Sequence, residues 1–167
     1  SYIKDQFKNS KIICLEEKKP LGTASSLSLI KANRKKNSLI VNCDTLLNIH
    51  YDEFFDYHVS QKNDFTIVAA FKKIVVPYGV CQIDKKQKLK KIIEKPSLNN
   101  LVVVGAYCFN NKLIKLIPKN KKFDMNDFIK KLIQKKYKVG IYPISEIDWQ
   151  DVGEWPEYFK TISNFSK

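Results

Sequence analysis

"SLIVNCDTLLNIHYDEF", residues 38–54, is the stretch that decides the fold. It opens with a short apolar run without polar alternation, which is typical of a strand covered on both faces of a sheet. The run stops at Asn42, and an acidic residue, Asp44, follows. In open α/β sheets ligands bind outside the carboxyl ends of the strands. Asp44 is therefore either a turn residue that accepts backbone N–H groups or a ligand for a charged group.

The segment before this strand predicts a βαβ unit. KIICLE (11–16) is a second apolar run with the pattern of a buried strand. GTASSLSLIKAN (22–33) places apolar residues at helical spacing, at Ala24, Leu27 and Ile30, with Gly22 and Thr23 as its entry and cap.

The rest of the chain continues the alternation of strands and helices. A helix is predicted over 51–61 and a buried strand over FTIVAAF (65–71). YGVCQID, LKKIIEK and LVVVGAYCF then predict antiparallel or mixed strands inserted into the sheet. KVGIYPI predicts a further strand, and a final helix is expected from about Glu154. FDMNDFIKKLIQKK (123–136) predicts an amphipathic helix with Phe128, Ile129, Leu132 and Ile133 on its apolar face and Lys130, Lys131, Lys135 and Lys136 away from it.

Length and composition limit the class of protein. The 167 residues, 44% of them hydrophobic, predict one α/β sandwich domain over residues 1–167. No stretch approaches the roughly 20 apolar residues that span a bilayer, and the first residues lack a signal-peptide core, so a cytoplasmic location is expected. The four cysteines, at 14, 43, 81 and 108, are far apart and predict reduced packing residues rather than a disulfide or zinc framework.

The net charge of +13 can indicate a nucleic-acid partner, phosphate-bearing small molecules or no specific partner. The abundance of Lys, Asn and Ile favours the last interpretation, a compositional bias of the whole chain. The lysines are scattered along the chain. The densest run, DKKQKLKK, lies between two strand-like segments and predicts a solvated hairpin tip, not a basic arm with stacking aromatic residues. We therefore expect no nucleic-acid partner.

A second acidic residue follows a strand-like segment near the end of the chain. Asp151, in DWQDVGEW, is either a helix cap or a second ligand. Two carboxylates at strand ends can hold one Mg²⁺ ion, which prefers one or two carboxylates together with phosphate oxygens.

Three glycines and one Glu-Lys-Pro triplet are the other candidate sites. Gly22 precedes a helix, where backbone can approach an anionic or planar ligand, and Gly79 precedes a strand. In IIEKP, Glu94 can accept sugar hydroxyls and Lys95 can meet a phosphate. Gly105, inside a strand, marks a close approach or a bulge. An ordinary loop and a surface ion pair are the structural alternatives.

Six segments in order connect these candidates. The succession KPLGTASSL, LIVNCDTL, PYGVCQID, IIEKP, VGAYCFN and WQDVGEWPEY resembles the sugar-phosphate nucleotidyltransferases, which make nucleotide sugars from a nucleoside triphosphate (NTP) and a sugar 1-phosphate. The resemblance runs from about residue 11 to the final helix. It implies a three-layer Rossmann-like (glycosyltransferase-A-like) sandwich with a mixed, mainly parallel sheet that lacks its first βα unit. VPYGV, LIPKNKKFDMNDFIKKLI and YPISEIDWQDVG are most similar to guanylyltransferases of nonulosonic acid or heptose pathways.

The resemblance also implies a role for each candidate. Asp44 and Asp151 would be the carboxylates of a Mg²⁺ site, and Gly22 would lie against the base. Gly79 and Glu94 would bond the sugar, and Lys95 would neutralise the sugar phosphate. The partners would be an NTP and a sugar 1-phosphate, and a homo-oligomer is compatible with the sequence. The implied catalytic residues are Asp44, Asp151 and Lys95, and the implied substrate-binding residues are Gly22, Thr23, Cys43, Tyr78, Gly79, Glu94 and Gly105.

Two departures from the family pattern bear on function. The family opens with a strand and a glycine-rich phosphate loop, and this sequence begins after them, so we expect a piece of a longer protein. The alternative is a non-catalytic sugar-nucleotide-binding or regulatory module of the same fold. In VVVGAY, Val102, Val103 and Val104 are apolar where family members often carry a polar residue before the glycine, which removes one sugar contact.

Overall fold

A computed structural model describes residues 12–17, 19–31, 33–153 and 159 of the chain. None of the helices in this described part is long and apolar enough to cross a membrane. In chain order the strands are β1 (Asn37–Val41), β2 (Thr45–Leu47), β3 (Phe65–Val75), β4 (Val80–Ile83), β5 (Leu89–Ile93), β6 (Ser97–Asn110), β7 (Val139–Ile144) and β8 (Trp149–Asp151). The α-helices are α1 (Tyr51–Ser60) and α2 (Met125–Gln134). Three 3₁₀ helices span Ser25–Leu29, Asn111–Leu116 and Glu146–Asp148.

The main sheet has the strand order β1-β6-β3-β7. β3 is parallel to β7, and β6 is antiparallel to both of its neighbours, β1 and β3. β1, β3 and β7 therefore run in the same direction, and their carboxyl ends lie at one edge. The sheet is therefore mixed, as predicted; among the described strands it has one parallel and two antiparallel pairings, with three of its four strands running in one direction.

β3 is the centre of the core because both of its faces are covered. Residues 65–70 are all buried, as predicted, whereas Phe71, the last residue of the predicted buried run, is 57% exposed. Phe65 packs with Phe128 of α2 on one face of the sheet, and Val68 packs with Phe54 of α1 on the other. The result is three layers, helix on sheet on helix, which confirms the predicted sandwich.

The helix α2 forms where the sequence predicted it, but its buried face is narrower. Phe128 and Leu132 are fully buried, whereas Ile133 is 59% exposed, so its predicted place on the apolar face is wrong. Lys131, predicted to point away from the core, is half-buried because its Nζ donates a hydrogen bond to the Leu116 carbonyl oxygen at 2.7 Å. Its aliphatic stem can pack on the apolar face while its amine remains bonded.

The predicted first strand, KIICLE, is wrong over residues 12–16; Lys11 lies outside the described residues. Residues 12–17 form no strand, and Ile13 is 85% exposed. A strand needs a neighbour for its backbone N–H and C=O groups, and in the described part of the chain β1 pairs only with β6. The βαβ unit expected at this end is therefore not formed by these residues.

The predicted helix over 22–33 is reduced to the short 3₁₀ helix Ser25–Leu29. Ala24 and Leu27 are buried as predicted, but Ile30 is 37% exposed. Three serines lie in this segment, and serine side chains compete for backbone hydrogen bonds, which disfavours a longer α-helix.

The predictions for β4 and β5 and for the cysteines are wrong in part, and the predicted final helix falls outside the described residues. β4 and β5 form a separate two-stranded sheet instead of joining the main sheet, although the turn between them does lie in the lysine-rich run. Cys14, Cys43 and Cys81 are exposed, so only Cys108 is a packing residue; burial raises the pKa of its thiol to about 12. The final helix from Glu154 lies outside the described residues, apart from Phe159.

A buried histidine makes the stability of this fold depend on pH. His58 of α1 is 1% exposed, and its Nδ1 lies 2.8 Å from Thr66 Oγ1. Burial lowers the pKa of the imidazole, against a smaller opposing effect of the Asp64 carboxylate. The folded state therefore favours the neutral ring.

We expect the free energy of unfolding to fall as the pH drops below about 6.5, because the unfolded chain then binds a proton at His58 that the folded chain excludes. The slope from this one group is at most about 1.4 kcal/mol per pH unit. Urea denaturation between about pH 7.5 and pH 5 measures it. His58→Leu should lose this slope and the exposed-site variant His50→Leu should keep it; equal slopes in both variants would contradict the assignment.

Candidate functional site

The fold brings Asp44 and Asp151 together, although they are far apart in the sequence. Asp44 lies between the end of β1 and the start of β2. Thr45, the first residue of β2, is paired with Asp151, the last residue of β8. The Val152 amide also donates a hydrogen bond to the Asp44 carbonyl oxygen at 2.9 Å.

Gly153 lies close to both carboxylates. A Cβ atom at this position would stand 3.2 Å from Asp151 Oδ1 and 3.2 Å from Asp44 Oδ2. The two oxygens are therefore at most about twice that distance apart. The Gly153 amide donates to Asp151 Oδ1 at 3.0 Å, which orients that carboxylate. Both acidic residues are exposed, so a ligand can reach them.

The donor set at this point suits Mg²⁺. Among the described residues no three His, Cys, Asp or Glu side chains form a cluster that could hold a metal by themselves. A structural zinc site needs about four protein ligands, whereas Mg²⁺ is commonly held by one or two carboxylates with waters and substrate phosphates completing its shell. Asp44 and Asp151 supply that smaller set.

Gly105 packs against the turn that carries Asp44. It has φ +80°, and a Cβ there would lie 2.7 Å from Asn42 Nδ2 and 3.0 Å from Thr45 Oγ1. The register of β3 and β6 shifts next to it, so Gly105 is part of a bulge as well as a site of close approach. Thr45 Oγ1 donates to the Val104 carbonyl oxygen at 3.0 Å. The turn that carries Asp44 is thereby fixed onto β6.

We expect Gly105→Ala to destabilise the fold by about 1–3 kcal/mol, because alanine is strained at positive φ, and to displace the Asp44 turn through contact with Asn42. Activity per folded molecule should fall with it. Gly140→Ala is the matched control, because the three atoms nearest to its Cβ would all belong to Asn63, which is not part of the Asp44 turn. Both variants should lower the melting temperature and only Gly105→Ala should lower activity; an equal loss of activity in both would contradict this role.

Two other predicted site residues, Gly79 and Glu94, also lie close together. Gly79 and Glu94 flank the paired residues Val80 and Ile93 of the β4–β5 hairpin. A Cβ at Gly79 would lie 3.1 Å from Glu94 Oε2. Glu94 is exposed, as are Tyr78 and Lys95 beside this pair. The residues that the sequence assigned to sugar binding therefore share one exposed surface.

Gly22 and Thr23 have a structural task that the sequence did not predict. Gly22 has φ +101°, and a Cβ there would lie 2.9 Å from the Phe123 carbonyl oxygen. The Thr23 amide donates to Asp124 Oδ1 at 3.2 Å, and Thr23 Oγ1 accepts from the Met125 amide at 2.9 Å. Thr23 therefore caps α2 rather than the segment that follows it in sequence.

The Asp44–Asp151 pair and the Gly79–Glu94 pair are separate in the structure. No hydrogen bond or ion pair between described residues links Asp44 or Asp151 to Gly79 or Glu94. Cys43 is exposed in the Asp44 turn. A substrate that used both pairs would itself have to span them.

A cation and an indole near Asp151 were not predicted from the sequence. Lys72 Nζ lies 5.1 Å from the centroid of the Trp149 ring, a cation–π geometry. Trp149 is two residues before Asp151 on β8, so both side chains project from one face of the strand. The sequence feature that could have indicated this cation is the lysine pair that interrupts the apolar run in AAFKKI.

Fold and site together define a class: an α/β protein with two carboxylates at strand ends, suited to a phosphate-bound divalent ion. The chain belongs to the nucleotidyl transferase family, whose profile matches residues 1–167.

Two curated relatives illustrate the membership. The bifunctional protein GlmU of Methanocaldococcus jannaschii is 30% identical over 161 residues, which cover 90% of this chain and 37% of that protein. The mannose-1-phosphate guanylyltransferase catalytic subunit beta of Drosophila melanogaster is 29% identical over 108 residues, or 62% of this chain and 29% of that protein. The chain thus spans well under half of either relative.

A solved structure confirms the fold class. HddC from Yersinia pseudotuberculosis superimposes with a TM-score of 0.67 at 23% sequence identity, over 98% of this chain and 73% of that chain.

Proposed function

We propose that the protein containing this chain transfers a nucleotidyl group from an NTP to a sugar 1-phosphate and so forms a nucleoside diphosphate sugar and pyrophosphate. The observation that carries the proposal is the meeting of Asp44 and Asp151 at Gly153, in a chain of the nucleotidyl transferase family. The proposal thus rests on a position fit for phosphate chemistry and on a family whose curated members act on sugar phosphates.

The reaction needs no protein nucleophile. A phosphate oxygen of the sugar 1-phosphate attacks the α-phosphorus of the NTP, the new P–O bond forms, and the bond to the bridging oxygen breaks so that pyrophosphate leaves with the electron pair. Asp44 and Asp151 are the residues that would hold Mg²⁺, which when bound neutralises negative charge on the phosphates. Positioning and electrostatic stabilisation then supply most of the rate enhancement.

Glu94 and Lys95 would orient the sugar phosphate. The exposed Glu94 carboxylate, held beside Gly79, can accept hydrogen bonds from sugar hydroxyls, and the absent side chain at Gly79 leaves its backbone approachable. Lys95 can offset phosphate charge.

The finer proposal is guanylyl transfer to a hexose- or heptose-type sugar phosphate, for cell-surface glycan precursors. It is supported by the sequence segments of the guanylyltransferase branch and by the name of the Drosophila relative. GTP is the expected donor.

Pyrophosphate release by the full-length protein tests the proposal. GTP, ATP, CTP, UTP and dTTP are each combined with mannose, glucose, glucosamine and heptose 1-phosphates in the presence of Mg²⁺. We expect turnover with GTP above the other donors. Folded protein that releases no pyrophosphate with any pair would overturn the proposal, and tight binding of a nucleotide sugar without turnover would favour the non-catalytic alternative.

We expect Glu94→Gln to raise KM for the sugar 1-phosphate by about 10- to 100-fold, because a charge-assisted hydrogen bond contributes about 1.5–3 kcal/mol. The KM for the NTP should change little. Glu53→Gln, the same change at an exposed position on α1, is the control. An effect on the KM of both substrates alike would contradict a specific sugar contact.

A further inference from the structure

A cavity lies at the opposite end of the main sheet from Asp44. It has a volume of about 290 Å³ and lies between the segment after the 3₁₀ helix Ser25–Leu29 and the 3₁₀ helix Asn111–Leu116. Asn37, the first residue of β1, pairs with Asn110 at this end, whereas Asp44 follows the other end of β1. β1 is five residues long, so its two ends lie roughly 13 Å apart.

The charged residues that line the cavity are all basic. They are Lys31, Arg34, Lys115 and Lys119, and no acidic residue of the described part lines it. Within the same described residues, none of the four forms an ion pair. Arg34 is also the only arginine among the 30 lysines and arginines of the sequence. Arginine binds phosphate in a bidentate geometry that lysine cannot reproduce.

A buried amide of the cavity wall lacks a partner. Asn111 is 3% exposed, and its Nδ2 donates to the Asn33 carbonyl oxygen at 3.0 Å. That bond requires the nitrogen to face Asn33, which fixes the orientation of the amide. The other atom, Oδ1, is buried and has no hydrogen-bond partner among the described residues. A buried acceptor without a donor is costly, and a ligand hydroxyl would satisfy it.

Apolar surface completes the cavity. Ile30, Ile114 and Ile117 line it together with the cations and Asn111. A ligand that fits therefore carries negative charge, at least one hydroxyl donor and a carbon skeleton. The volume lies at the lower end of the roughly 300–1,000 Å³ range of ligand pockets, which favours a single sugar unit over a nucleotide sugar.

We propose that this cavity is a second ligand site that binds a phosphorylated monosaccharide, with Arg34 and its neighbouring lysines on the phosphate and Asn111 Oδ1 accepting a sugar hydroxyl. The site is separate from the Asp44–Asp151 pair and does not depend on the proposed function.

Two-dimensional ¹⁵N NMR on the full-length protein tests the site, with glucose 6-phosphate, inorganic phosphate and glucose as probes. Glucose 6-phosphate should shift the amide signals of Arg34 and Asn111. It should bind at least about tenfold more tightly than inorganic phosphate or glucose, since each of these lacks one set of contacts. Its binding should weaken as salt is added. Equal affinity for inorganic phosphate would overturn the assignment to a sugar phosphate. Shifts confined to Gly79 and Glu94 would overturn the second site itself.

Matched variants separate this site from the proposed active site. Arg34→Gln should raise the Kd for glucose 6-phosphate about tenfold or more, since it removes a charged hydrogen bond, and should leave basal pyrophosphate release unchanged. Lys35→Gln makes the same charge change next door, at a residue that does not line the cavity, and should leave the Kd unchanged. Asp44→Asn should also leave this Kd unchanged. Equal weakening by Arg34→Gln and Lys35→Gln would show a non-specific charge effect and overturn the proposal.

Discussion

If the proposed function holds, Asp44→Asn is expected to lower kcat for nucleotidyl transfer on the order of a thousandfold, because losing a proposed Mg²⁺ ligand would remove several kcal/mol of transition-state stabilisation. The melting temperature should change little. Asp44 is exposed, and its backbone carbonyl oxygen accepts a hydrogen bond from the Val152 amide, directly after β8. The amide variant keeps that bond and the shape of the side chain.

Asp151→Asn should behave in the same way, since its carboxylate lies against the same glycine. Asp56→Asn, an exposed acid on α1, is the matched control and should keep full activity. Steady-state kinetics at several Mg²⁺ concentrations, with circular dichroism melting curves, measure both quantities. Full turnover in both site variants would refute the metal-binding roles.

Phe65→Ala should cost about 3–5 kcal/mol of the free energy of unfolding, the range for removing a buried aromatic ring. Phe65 is completely buried at the start of β3. Its ring centroid lies 5.6 Å from Tyr107, 6.2 Å from Phe109 and 5.8 Å from Phe128. The cavity left behind would lie between the main sheet and α2, where close packing allows little relaxation.

Phe71→Ala is the control, because it makes the same change on the same strand at a ring that is 57% exposed. Its cost should be about 1 kcal/mol or less. Urea denaturation at constant m-value gives both numbers. Similar costs for the two variants would contradict the burial of β3 described above.

Local patterns predicted those elements whose signal is carried by adjacent residues. The unbroken apolar run around Val68 predicted a strand buried on both faces, and the spacing of Phe128 and Leu132 predicted α2 and its core face. Exposure was less predictable. Ile13 and Ile133 have the same side chain as a core residue and are exposed, because burial depends on whether another element lies opposite. No such element among the described residues covers either side chain.

The same distinction between local sequence patterns and tertiary contacts applies to the candidate site. The sequence by itself placed Asp44 at a strand end and made it a ligand or a turn residue, since strand patterns locate their own carboxyl ends. The family resemblance implied that Asp44 and Asp151 share one site, but only the tertiary structure decided that they meet at Gly153, that Thr23 caps α2, and that Asn111 is left with an unbonded oxygen. These contacts join residues far apart in the chain, and their geometry depends on how β2 and β8 pair and how the helices pack on the sheet, which no local pattern encodes.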